Sequence, residues 1–187
     1  MDILHWRGMS LKSRIACTLL CGLMAPGAFA EPQQDTDLAE REFARGDIIA
    51  AMALWRKAAQ AGYSPAQARL GDVLDKAEED LEAAEWYRKA AEQGNAAGED
   101  GLGQMYAKGE GVKQDFEMAR MYFLRAAEKN YVPSVVVMMS AYRSGGLGLA
   151  VDAAKADEWE AKVIALDPTY MKMQARSPGK KSKGNTK

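Results

Sequence analysis

Beyond residue 30 this 187-residue chain contains neither cysteine nor histidine; Cys17, Cys21 and the sole histidine, His5, all fall within the first thirty positions. Thiolate and imidazole are the preferred zinc ligands, and imidazole is the usual general base of acyl-transfer triads, so both chemistries lack their parts downstream. Disulfides are excluded there too, and stability has to come from an apolar core, for which 48% hydrophobic residues suffice. A long apolar run is also missing. A membrane-crossing helix needs about 20 consecutive apolar residues, and the main candidate, Ile15 to Met24, falls short. The formal charge of −1 shows none of the basic excess of a dedicated nucleic-acid binder.

That near-neutral total conceals an asymmetry. Residues 31–168 hold 16 Lys/Arg against 25 Asp/Glu, a net of −9, whereas residues 169–187 hold Lys172, Arg176, Lys180, Lys181, Lys183 and Lys187 and no acid. This basic segment, with Ser177-Pro178-Gly179 inside it, is expected to be a disordered tail; contact with an anionic envelope surface is one role open to it. At the other end Arg7, Lys12 and Arg14 precede the apolar stretch, Pro26-Gly27 breaks it, and Ala28-Phe29-Ala30 matches an A-x-A cleavage site. The pattern is that of an export signal starting at Met1 or Met9 and cleaved after Ala30. It predicts a periplasmic mature chain with no transmembrane span.

The strongest positive signal is repetition. Trp55-Arg56-Lys57-Ala58-Ala59-Gln60-Ala61-Gly62 returns as Tyr87-Arg88-Lys89-Ala90-Ala91-Glu92-Gln93-Gly94 and again as Phe123-Leu124-Arg125-Ala126-Ala127-Glu128-Lys129-Asn130. The copies lie 32 and then 36 residues apart, and a worn fourth, Lys162-Val163-Ile164, follows after 37. Periods of this size mark stacked helix pairs. In the second (B) helix of each pair, Ala51, Ala83, Ala119 and Ala156 stand seven residues before Ala58, Ala90, Ala126 and Val163, two turns along one face. This stripe of small residues admits a close neighbour, with Leu54, Trp86, Tyr122 and Trp159 filling the space beside it.

The first (A) helices repeat Ala66, Leu70, Leu74, then Gly98, Leu102, Tyr106, then Ser134, Met138, Tyr142 at every fourth position, one inward stripe each. Punctuation agrees with these limits. Pro65 and Pro133 suit a first helical position and Ser64 a cap, while Gly62, Gly94 and Asn130 suit the left-handed close of a B helix. Asp47, Asp115 and Asp152, with Glu79 in the unit of shorter loop, are expected to cap the B helices. The glycine-rich loops 108–115 and 144–152 lack a following Gly-Lys-Ser/Thr and are preceded by helix rather than strand, so they are turns and not phosphate cradles.

The string Gly94-Asn95-Ala96-Ala97, continuing as Leu102-Gly103-Gln104-Met105-Tyr106-Ala107-Lys108-Gly109-Glu110-Gly111-Val112-Lys113-Gln114-Asp115 and closing on Ala119-Arg120-Met121-Tyr122, resembles a Sel-one-like repeat. That repeat is the longer-looped relative of the tetratricopeptide repeat, whose inter-helix turn Phe43-Ala44-Arg45-Gly46-Asp47 resembles. The resemblance covers roughly residues 37–166, diverging where Met138-Met139 replaces Leu-Gly. It implies an all-α, right-handed α-solenoid of antiparallel helix pairs with A helices on the concave side. It implies no shared catalytic set, cofactor or metal, and a use in binding other proteins. The domain map that follows is signal 1–30, linker 31–36, repeat domain 37–168 (units 37–62, 63–94, 95–130 and 131–167) and tail 169–187.

With Leu70, Leu102 and Met138 inward, the residues expected to meet a partner are Asp72, Asp75, Asp100, Gln104, Val136, Ser140 and Arg143, alongside Ala68 and Ala107. Val135-Val136-Val137-Met138-Met139 is apolar all round, so either the last helix (152–165) covers it or an apolar partner does. The leading functional reading is a non-enzymatic periplasmic scaffold, adaptor or regulator, one form of which is an immunity protein against a secreted effector. A solenoid's extended concave surface suits a peptide, helix or loop of another protein. Two alternatives remain: an envelope hydrolase or antibiotic-binding protein like the cysteine-rich exported relatives, from which this chain departs in its cysteines, and a wall- or membrane-associated structural protein acting through its basic tail.

Overall fold

The structure, a computed structural model, describes residues 31–170. Among these, eight helices follow one another: α1 (Glu31–Arg45), α2 (Ile48–Gln60), α3 (Ser64–Lys76), α4 (Asp80–Glu92), α5 (Ala96–Lys108), α6 (Phe116–Glu128), α7 (Val132–Ser144) and α8 (Ala153–Leu166). The export signal and residues 171–187 of the basic tail lie outside the described residues. Residues 31–36, expected as a linker, are instead the opening turns of α1. They are held there because Thr36 Oγ1 donates to the Pro32 carbonyl at 2.7 Å and Asp35 pairs with Lys57 of α2 at 2.9 Å.

Three of the B helices start where their aspartates predict. The Ala50 amide donates to Asp47 at 3.0 Å, the Glu117 and Met118 amides to Asp115, and the Lys155 amide to Asp152, each satisfying donors that a helix start leaves without partners. Glu79 occupies the same place before α4 but makes no side-chain cap. Ser64 does not cap α3 either; it is the first helical residue, and Tyr63 holds the cap position without a side-chain bond. Pro65 in that first turn has no amide to satisfy, which removes part of the need for a cap. Every repeated B helix then closes in one way: Gly62, Gly94 and Asn130 take φ of 89°, 75° and 62°, and the next amide returns to the carbonyl of Ala58, Ala90 or Ala126 at 3.0–3.1 Å.

Consecutive helices pack in antiparallel pairs, and α3 also packs on α5, so the pairs stack side by side. Ala51, Ala58, Ala83, Ala90, Ala119, Ala126, Ala156 and Val163 are all completely buried, as are Leu70 and Leu102, with Met138 at 1% exposure. The bulk of the core lies one residue further along than expected. Trp55, Tyr87 and Phe123 are the deeply buried rings; of Leu54, Trp86, Tyr122 and Trp159 only Trp86 is buried, and the others are half-buried at the core margin.

Glycines in the A helices explain that preference. The Tyr87 ring lies between Gly71 and Gly101, so close that a Cβ on either would fall 2.7 or 2.3 Å from it. Phe123 meets Gly103 in the same manner, at 3.0 Å. In the last pair the equivalent position is Glu160, which turns outward to Arg143 at 2.9 Å. The apolar α7 is resolved in favour of the covering helix: Val135, Met138 and Met139 are buried, and Val136 and Val137 pack into clusters that include Trp159 of α8.

Candidate functional site: a groove across the A helices

A groove of about 350 Å³ crosses the starts of the A helices, lined by Thr36 and Glu40 of α1, Pro65, Ala68, Arg69 and Asp72 of α3, Asn95 and Ala97 at the start of α5, and Tyr131 at the start of α7. It exists because the helix starts are lined up by the B-helix closures and because Ala68 and Ala97 leave room between larger neighbours. Asn95 is fixed as the α5 cap, accepting from the Gly98 amide at 3.0 Å.

The polar groups are tied together. Arg69 forks onto both Glu40 oxygens at 2.7 and 3.1 Å and lies 3.6 Å from Asp72. The Tyr87 hydroxyl donates to Asp72 at 2.9 Å. Asp100, only 4% exposed, accepts from Ser134 Oγ at 2.5 Å and from Gln104 Nε2 at 2.7 Å. Burial pushes the carboxyls of Asp72 and Asp100 above the ordinary range, against the opposing pull of these hydrogen bonds. Burial likewise raises the phenol of Tyr131, helped by the charges of Asp100 and Asp72. Tyr87 is raised by burial and then by Asp72, and it also senses Asp75 and Asp100. These carboxylates therefore share one neighbourhood of negative potential.

That neighbourhood continues past the groove. Asp75, Asp80 and Glu110 bring carboxylate oxygens within 4.8 Å of one another, all half-buried. Lys108 answers part of the charge through Glu110 at 2.8 Å, and its ammonium is raised first by that hydrogen bond. The α5–α6 loop is held to the start of α4 here: Gly111, at φ 62°, sits against the Asp80 carbonyl, where a Cβ would come within 2.1 Å. The cluster thus carries its own cation and a structural task.

Of the residues expected to meet a partner, Asp72 and Asp75 are half-buried and Gln104 is exposed. Asp100 belongs with them but is covered, serving as a strut between α5 and α7 through Ser134, and Ala68 is buried in the groove wall. Val136 is half-buried in the α7–α8 cluster, Ser140 is exposed, and Arg143 is turned to α8 by Glu160 at 2.9 Å and Asp157 at 3.8 Å. The structure adds Glu40, Arg69 and Tyr131 to the surface. Tyr131 had a legible signal, since Tyr63 and Tyr131 recur directly after the residue that closes a B helix. Glu40 had none, because α1 carries no copy of the repeated phrase.

Stacked antiparallel pairs with no strand among the described residues define an α-solenoid. The Sel1 repeat model matches residues 42–63, 64–95 and 96–131, so the chain carries Sel1 repeats. Solved structures agree. A protective antigen of uropathogenic Escherichia coli displaying an SLR fold is 33% identical with a TM-score of 0.65, covering 73% of this chain and 31% of that one. A Sel1 repeat protein from Oxalobacter formigenes is 26% identical with a TM-score of 0.66, covering 79% and 63%. Mouse protein sel-1 homolog 2 is 28% identical over 74% of this chain, which spans only 21% of that protein. None of the described helices is long and apolar enough to cross a membrane.

Proposed function

We propose that this chain is a non-catalytic scaffold of the periplasm that binds a partner protein on its A-helix face, the partner lying across α1, α3, α5 and the start of α7. The observation that carries this reading is the groove itself: residues of four successive A-helix segments line it, its walls mix apolar, acidic and basic side chains, and it is only partly enclosed. The carboxylates in its wall and behind it are already employed. Both Asp100 oxygens accept hydrogen bonds from within the fold, and Asp72 is engaged by Tyr87 and Arg69, which supports positioning over acid–base turnover. An immunity protein that blocks a secreted effector is one form this scaffold can take.

The test is capture from periplasmic extract on the immobilised protein, with bound chains read by mass spectrometry. A partner retained by the unaltered protein is expected to be lost on Y131A and on D75K, with helical circular dichroism unchanged. Retention unaffected by both substitutions would remove the A-helix face from the interaction, and turnover of a wall or antibiotic substrate abolished by D72N would replace the scaffold reading with an enzymatic one.

A further inference from the structure

We propose that the groove is occupied in the resting protein by the chain's own basic segment, residues 171–187, which a partner has to displace. The inference rests on the reading of the A-helix face as the docking surface and adds its regulation. Three observations lead to it: the charge of the surface, the charge of the segment and the distance between them.

The surface is acidic along a continuous track. From Glu40 through Asp72 and Asp75 to Asp80 and Glu110 the carboxylates are paired with Arg69 and Lys108, and Lys76 also acts on Asp72; the field is continuous because Tyr87 senses Asp72 and Asp75 together and Lys108 senses Asp75, Glu110 and Asp80 together. The remaining part of the A-helix face is different in kind: α7 offers Ser140 and an Arg143 that is already paired. The stretch of the sequence following Tyr170 holds six Lys/Arg among 17 residues and no acid. A track of one sign and a segment of the other attract over a Debye length of about 8 Å at physiological salt.

The segment begins in the right place. Tyr170 packs against the cluster of Ala127, Val135, Met139 and Val163, so the chain leaves the described structure at the α7–α8 end of the stack, the end to which Tyr131 of the groove wall also belongs. From α7 to α3 is two A-helix spacings of about 10 Å each. Seventeen residues span up to roughly 55 Å when extended, enough to run the track. Tethering supplies a local concentration on the order of 1 mM, so even a weak site is filled.

The experiment measures a labelled peptide of sequence 171–187 binding to two full-length chains, the unaltered protein and one carrying K172Q, R176Q, K180Q, K181Q, K183Q and K187Q. If the free peptide binds the neutralised chain with a Kd of about 100 μM at low salt, a competing tether at about 1 mM weakens binding to the unaltered chain roughly tenfold. The expected result is that tenfold difference, with binding to the neutralised chain lost on adding D75K and, separately, Y131A. Equal affinity for both chains, binding to neither, or binding indifferent both to Y131A in the groove and to D75K on the acidic track overturns the proposal. The two readings fail separately. If the neutralised chain still captures its partner through the groove while the peptide never binds, only the tail inference falls; if groove substitutions leave partner capture intact, the docking surface itself is misplaced.

Discussion

The junctions between successive helix pairs occupy equivalent positions and are built from different chemistry. At the first, Gln67 donates to the Ala59 carbonyl at 3.0 Å and accepts from Gln93 at 2.7 Å. At the second, the equivalent Glu99 is completely buried with Lys129 on one oxygen and Arg125 at 2.8 Å from the other, while Arg125 reaches the Ala91 carbonyl at 3.4 Å. At the third, Val135 takes the place among Ala127, Met139, Val163 and Leu166, and Lys162 donates to the Ala127 carbonyl at 2.6 Å. In each case a carbonyl at the end of a B helix receives a side-chain donor, as buried acceptors require. What varies is the residue that faces it: amide, carboxylate or isopropyl. A repeated backbone thus leaves each interface free to choose its own pairing, and the second has chosen the costliest, a buried charge that depends on its partners.

The largest effect is expected where that dependence is broken. The double variant R125M/K129M strands Glu99 and should lose about 3–5 kcal/mol in urea unfolding. Importing the third junction's chemistry as E99V/K129L removes charge and partner together and should leave stability unchanged or raised. If both variants unfold alike, the distinction between ionic and apolar junctions is wrong. Next comes the slot for Tyr87: G101A forces a methyl into the ring and should cost about 1–3 kcal/mol, more than G103A, where Phe123 stands further off. Thermal melts of the two compare the first and second rings directly.

Capping gives a smaller contrast. D115A should cost about 1 kcal/mol, as loss of a side-chain cap does, and S64A less than about 0.5, as at surface positions without a special role. Equal losses would contradict the cap assignment. The smallest effect is on pH dependence. Because burial raises Asp72 and Asp100, the folded chain keeps protons that the unfolded chain has released once pH exceeds the ordinary carboxylate value. Their contribution is therefore most favourable at acid pH and is lost as pH rises through the raised values. D100N, which keeps the shape and removes the charge, should flatten that part of the stability profile between mildly acidic and neutral pH; an unchanged slope would show that Asp100 does not titrate there.

Local signals were legible wherever a residue type answers a backbone need. Asp47, Asp115 and Asp152 cap, and Gly62, Gly94 and Asn130 close, because orphaned amides and positive φ select those side chains whatever surrounds them. The alanine stripes were legible for a similar reason, since close approach admits little else. Adjacent aromatics were not. Trp86 and Tyr87 both suit a core by composition, and only the slot between Gly71 and Gly101 decides that Tyr87 enters it. Asp100 shares the A-helix face expected of a partner-binding residue, yet Ser134 of the following pair covers it.

The sequence by itself determined the repeat, its period, the limits of most helices and the absence of thiol and imidazole chemistry after residue 30. Those properties depend on contacts within a turn or two of the chain, or on composition alone. Only the tertiary structure decided the groove and the junctions. Glu40 and Arg69 lie 29 residues apart, Glu99 and Lys129 30, and Asp100 and Ser134 34, so each pairing exists only once neighbouring helix pairs have stacked. A periodic sequence states that the units stack; which side chains then face one another is settled by the packing between them.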